Sequence, residues 1–220
     1  VLQVERGWLS VADQCCTSHG SGATFNGSSK SDNAQARCSL TSTFGISAQR
    51  HSQSQMNSLQ SLFAQKSWAN NELFNVVATV PEAEHATVLH AAIRMLNHIY
   101  VVDKIFQAHL LGEHHSYSST NTEATPDLGE LQFNVAETDD WFEKYASTVS
   151  LAELNKRVAF TFTDGDSGTM TREEMLFHVI THGAYHRGNV GQMLKSISVV
   201  PPRDLLTKFL HISEPGRRHA

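Results

Sequence analysis

The chain has 220 residues, with 17 Lys plus Arg against 22 Asp plus Glu and a formal net charge of -5. A negative balance with no basic cluster argues against nucleic acid, whose binding rests on phosphate neutralisation. No apolar run approaches the ~20 residues of a membrane span, and the N-terminus lacks the basic-then-apolar order of a signal peptide. The expectation is a cytoplasmic protein with neither a nucleic-acid nor a membrane partner.

All three cysteines (Cys15, Cys16, Cys38) fall in the first forty residues. The stretch from Ser10 to Ser54 is rich in Ser, Gly, Thr, Asn and Gln and carries no apolar periodicity. Such a composition buries too little surface to offset its ordering entropy. The chain also begins with Val, while Met56 opens the first convincing helix. Residues 1–55 are therefore read as a disordered or non-native extension. Cys15-Cys16 is not a C-x-x-C pair, so the cysteines give no framework.

The first helix is predicted over Asn57 to Val77, where Leu59, Leu62/Phe63, Ala69, Leu73 and Val76/Val77 repeat at helical period. Pro81 ends that segment and suits the first turn of the second helix, with Glu82 and Glu84 at its positive end. The second helix extends to Leu111, and Gly112 can close it. Val88, Leu89, Ala92, Met95, Leu96, Ile99, Val102, Ile105 and Phe106 give it a broad apolar face. Glu113 to Leu128 is polar and contains Pro126, which predicts a loop.

The third helix is placed at Asp139 to Lys156, with a break where Ser150-Leu-Ala-Glu153 offers a second capping box. Val158, Phe160 and Phe162 alternate with smaller or polar residues before Asp164-Gly165, the pattern of a short β-hairpin. The fourth helix starts at the capping box Thr171-Arg-Glu-Glu174 and runs to about Ile197. Pro201-Pro202 stops it, and Asp204 to His211 suggests a short terminal helix. The fold class is all-α: a four-helix bundle over residues 56–213 with a short β-hairpin before the fourth helix, then a flexible tail at 214–220.

The fourth helix carries His178-Val-Ile-Thr-His182-Gly-Ala-Tyr-His186. Residues at i and i+4 share a helix face, so imidazoles stack one turn apart and a pair can converge on one divalent ion. On a wheel at 100° per residue, with His182 at zero, Met175 and Met193 fall at about 20° and Val179 at about 60°. His186 lies at about 40°, inside that apolar face, while His178 lies at about −40°, on its edge. His182 and His186 thus aim inward and His178 flanks them. A hydrogen-bonded core pair is the competing explanation, and it is the commoner fate of a single buried histidine.

A metal needs a further ligand, and the second helix supplies candidates. His98 shares a stripe with Ala91, Met95, Val102 and Ile105, so it points inward. His90 and His109 are rivals. His85 follows Glu82 in a Glu-x-x-His pattern, but the di-iron bundles that use it need a second copy, and none exists here. His114, His115, His211 and His219 read as solvated loop or terminal residues.

Three segments then stand in one order: Leu62-Phe-Ala-Gln-Lys-Ser-Trp68-Ala69-Asn70, Leu96-Asn97-His98-Ile99, and His182-Gly-Ala-Tyr-His186-Arg187-Gly188. They resemble the DinB family, the damage-inducible, metal-dependent four-helix-bundle proteins, and not the DNA polymerase of the same name. The resemblance covers Met56 to His211, including Pro201-Pro-Arg-Asp-Leu-Leu206. It implies that His98, His182 and His186 are the metal ligands, in agreement with the wheel. The family's Gln after His-Arg-Gly is Asn189 here, an amide on a shorter stem. The wider superfamily implies thiol-dependent S-transferase or isomerase chemistry, a low-molecular-weight thiol as second cofactor, and a small-molecule substrate; a homodimer is also expected.

Three imidazoles would leave a divalent ion (zinc, nickel, iron or copper) its full charge and at least one open position. Such an ion activates water or holds a thiol as thiolate, so a transferase and a hydrolase are both open. A non-catalytic metal-binding stress protein is the alternative. Arg187, at about 140° on the wheel, reads as a salt-bridge or surface residue. Tyr185, at about −60°, reads as ordinary helix packing. No general acid or base can be named from the residues.

Overall fold

The computed structural model describes residues 57–218, so the extension expected over 1–55, the three cysteines and His219 lie outside the described residues. Helix α1 is Ser58–Val77, held at its start by a capping box in which Asn57 and Gln60 exchange side-chain and backbone hydrogen bonds. Helix α2 is Glu82–Leu111, preceded by Pro81 and distorted at His85 (φ -131°, ψ 26°). Gly112 closes it in the left-handed conformation at φ 71°, which costs a glycine nothing.

Helix α3 is Leu128–Thr148, which begins well before the Asp139 expected from the pattern. Its signal is the cap: the Asp127 side chain accepts from the backbone N–H groups of Gly129 and Glu130. Gly129, Asn134 and Thr138 dilute the apolar stripe, and only Leu131, Val135, Thr138, Asp139, Phe142 and Ala146 turn inward. The expected break is present at Val149–Ser150, and Ser150 caps a single-turn helix α4, Leu151–Leu154. Strands β1 (Arg157–Thr161) and β2 (Ser167–Thr171) pair antiparallel, with Arg157 opposite Thr171 and Thr161 opposite Ser167. Helix α5 is Arg172–Ser196, opened by the Thr171/Glu174 capping box. Helix α6 is Leu206–Ser213, and a 3-10 turn follows at Pro215–Arg217.

The long helices form a four-membered ring in the order α1, α3, α2, α5, so α1 and α2 lie diagonally across the bundle. The small hairpin sits beside it, with Phe160 packed into the core. Two apolar clusters fill the interior. One gathers Phe63, Phe106, Leu110, Phe142, Met175 and Leu176, with Phe63 and Phe142 stacked at 5.2 Å. The other gathers Leu73, Phe74, Val77, Leu96, Leu131, Val190 and Leu194. Between them every long helix contributes buried polar side chains: Lys66 and Asn70 from α1, His98 and Asp103 from α2, Thr138 and Asp139 from α3, His186 and Arg187 from α5. This belt is where the fold departs from a plain apolar core. Among the described residues, no helix is long and apolar enough to cross a membrane.

Candidate metal centre

The i, i+4 spacing on α5 stacks His182 over His186, with ring centroids 4.4 Å apart. His98 projects from the facing side of α2, its ring 4.9 Å from His182 and 4.7 Å from His186. One ring nitrogen from each of the three lies within 4.8 Å of the others. His98 Nδ1 stands 2.8 Å from the carbonyl oxygen of Thr120, so that nitrogen carries the proton and donates. This tautomer leaves the lone pair on Nε2, and Nε2 lies 3.1 Å from Nε2 of His182. Ligand bonds of about 2.0–2.1 Å at tetrahedral to octahedral angles set two donors about 2.9–3.4 Å apart. The 3.1 Å spacing falls inside that interval.

The electrostatics agree with the geometry. Burial, then the neighbouring His98, His186 and His178, then Lys66, hold His182 far below the usual histidine range. Burial, then His98 and His178, bring His186 down to about 4. Neutral imidazoles are the form that ligates metal. Nδ1 of His182 is buried and makes no hydrogen bond. Three imidazoles that bring one ring nitrogen each within 4.8 Å of the others could hold a cation.

The remaining histidines stand elsewhere. His178 stacks on Phe106 at 4.5 Å and flanks His182 at 5.4 Å, outside the three-histidine group. His90 meets Thr125 Oγ1 at 2.9 Å, and His109 packs on Phe160 at 4.9 Å. His114 and His211 are exposed, but His115 is half-buried with its Nδ1 shut away from solvent, not the solvated loop residue expected. Arg187 is the salt-bridge residue its wheel position suggested, and it is deeply buried. Its Nε donates to Asp204 at 2.7 Å and its Nη1 to Asn70 at 3.2 Å. Tyr185 is 59% exposed and lays its ring against the edge of His186 at 5.0 Å, so it packs at the rim and not in the core. Asn189 reaches His186 Nδ1 only at 3.5 Å, a long contact.

Two sets of residues escaped the sequence reading. The first ties the 113–127 loop down as a strap over α2. Arg94 Nη1 donates to the Thr122 carbonyl at 2.6 Å, Asn97 Nδ2 to Thr122 Oγ1 at 2.6 Å, and Asn121 Nδ2 to the Arg94 carbonyl at 3.0 Å. These bonds place the Thr120 carbonyl over His98, a contact that fixes the orientation of its ring. The only signal for it in the sequence is an amide, Asn97, beside His98 on an inward face. The second set lies on the bundle axis. Lys66, fully buried, is bound to Asp103 at 2.7 Å and to Asp139, whose other oxygen accepts from Asn70 at 2.7 Å. Burial opposes the Lys66 charge, but the two carboxylates outweigh it and its pKa rises. Burial lifts Asp103 to about 6 against the pull of Lys66. The stem of Lys66 passes beneath Gly183, where an added Cβ would meet Lys66 Cε at 3.6 Å and Arg187 Nη1 at 3.1 Å. A cavity of about 460 Å³ opens on the other side of α5, lined by Arg187, Asp204 and Pro201 among others and by no histidine.

Comparison with known proteins agrees with this arrangement. The chain is similar to Protein DinB of Bacillus subtilis (strain 168), with 28% identity over 147 residues that cover 61% of this chain and 83% of that protein. The DinB family model matches residues 54–217, a span that takes in all four long helices and the three converging histidines. The chain belongs to the DinB family.

Proposed function

We propose that His98, His182 and His186 hold one divalent ion (zinc, nickel or iron) and that the loaded protein is an enzyme acting on a small molecule, of the thiol S-transferase or hydrolase type. The observation that carries this reading is the donor set: three imidazoles and, in that group, no carboxylate or thiolate. Structural zinc sites are more often closed by four protein ligands. When bound, such an ion supplies Lewis acidity, lowering the pKa of a ligated water toward ~7 or holding a thiol as thiolate.

The chain's own residues do the rest of the work. Thr120 fixes the His98 tautomer, the helix spacing sets the bite of His182 and His186, and burial keeps those two from competing protonation. Lys66, near enough to bear on His182, is pinned by two carboxylates and stays a spectator charge.

The test combines elemental analysis of the purified chain with an assay of thiol conjugation and of small-ester hydrolysis. Turnover should need the ion, vanish with chelator and with His186→Ala, and return when metal is added back to wild type. A second reading, an ion that only ties α2 to α5, is supported by the origin of the ligands on those two helices. Full metal occupancy without turnover over a broad panel of thiols and electrophiles would select it. A purified protein that neither contains nor takes up metal would overturn both.

A further inference from the structure

A second pair of imidazoles lies at the C-terminal end of α2. Gly112 turns the chain back in the left-handed conformation, and Glu113 N–H closes on the Ala108 carbonyl at 2.9 Å. That pinned turn returns His115 to His109, six positions earlier. The two rings stand 5.2 Å apart at an interplanar angle of 67°, the angle that His182 and His186 make with each other.

Two further observations point to a ligand here. His115 Nδ1 is buried and makes no hydrogen bond, a condition that is costly unless something occupies the atom. Phe160 and Phe106 wall His109 at 4.9 Å and 5.9 Å, which lowers the local dielectric and favours donor atoms that bind without charge. Burial, and then the neighbouring His115, lower the His109 pKa, so its lone pair is available at neutral pH. No carboxylate takes part in these contacts, which leaves imidazole nitrogen as the donor type. That donor type suits late first-row transition ions and not calcium or magnesium.

We propose that His109 and His115 form a second site for a divalent transition-metal ion, completed by water and distinct from the three-histidine centre. With two protein donors it binds more weakly than a three-donor site. The ring of Phe106 stands between the two centres, against His109 on one side and His178 on the other. The proposal does not depend on what the three-histidine centre catalyses.

The experiment is a calorimetric titration of the full chain, stripped by chelator, with zinc(II), repeated with cobalt(II) read by visible absorption. Wild type should show two events per chain, and His109→Asn or His115→Asn should each weaken the second by tenfold or more while sparing the first. His186→Ala should do the reverse. A wild type that binds a single ion overturns the proposal, as does a second event that survives both Asn variants. Paramagnetic broadening of imidazole resonances in unaltered protein, at copper(II) beyond one equivalent, guards against misfolded variants. Broadening at His109 and His115 supports the site, and broadening confined to other histidines refutes it.

Discussion

The belt between the two apolar clusters holds two polar groups that are similarly deep and chemically opposed. On the bundle axis Lys66 lies between Asp103 and Asp139, and opposite charges satisfy one another. Nearby, His98, His182 and His186 present like groups whose ring nitrogens converge. The first group balances its own charges, although Asp103 Oδ1 is left without a hydrogen bond; the second could take a cation. The comparison teaches that burial of polar atoms alone does not mark a functional site. The mark is whether the charges and donors in the group offset one another or all face one another with the same kind of atom.

The largest effect should come from breaking the complete group. Lys66→Met leaves two buried carboxylates unpaired and should cost about 3–5 kcal/mol in urea unfolding. Replacing the trio together, with Asp103→Leu and Asp139→Leu added, should recover most of that loss, because apolar substitutes for a whole buried ion network are often neutral. A triple variant as unstable as the single one would mean that the network does more than compensate itself.

The histidines should behave in the contrary way. His182→Ala should change the stability of the metal-stripped protein little, yet abolish the stabilisation that zinc confers on wild type. That gain is about 2.7 kcal/mol at a zinc concentration one hundred times Kd. Melting curves with and without zinc measure both. Equal destabilisation of the stripped and loaded forms would identify the three rings as ordinary core.

Acid should separate the two groups by sign. His186 titrates near 4 in the fold against 6.5 in its ordinary state. Between those values the unfolded chain holds the proton and the native one does not, so stability falls as pH drops from about 6.5 to 4. Asp103 titrates near 6 against an ordinary 3.8, so its ionisation costs stability above pH 6 and that cost is relieved on acidification. Asp103→Asn should therefore steepen the acid-side loss measured by chemical unfolding from pH 7 to 4. An unchanged slope would show that Asp103 is not the group opposing the histidines.

The smallest effect belongs to the strap. Asn97→Ala removes its bond to Thr122 and loosens the loop that presents the Thr120 carbonyl to His98. Zinc affinity should fall about tenfold, the low end for outer-shell changes, while unfolding shifts by about 1 kcal/mol. A stability loss with unchanged affinity would detach the strap from the site.

Much of this was legible in the chain because the relevant signals are local. Thr171 and Glu174 announce the start of α5, Gly112 the end of α2, and Asp164-Gly165 the hairpin turn. The i, i+4 spacing set His182 and His186 on one face once the apolar neighbours fixed which face was inside. Three things were hidden for physical reasons. Helix α3 starts under Asp127, a cap that looks like loop because Pro126 precedes it and Gly129 follows it. Lys66 interrupts an apolar stripe, and nothing in α1 reveals that its partners arrive from α2 and α3. The Thr120 contact runs through a backbone carbonyl, which any residue could supply, so no side chain could announce it.

Gly183 bears on how tightly the belt can pack. Lacking a side chain, it leaves room beneath α5 for the stem of Lys66, whose Cε an added Cβ would approach to 3.6 Å. An alanine there would stand 3.1 Å from Nη1 of Arg187, one turn along the same helix and held by Asn70 and Asp204, so the guanidinium would have to give by a few tenths of an ångström. The smallest residue in the belt thus leaves room for the Arg187 guanidinium to reach Asn70 of α1 and Asp204 at once.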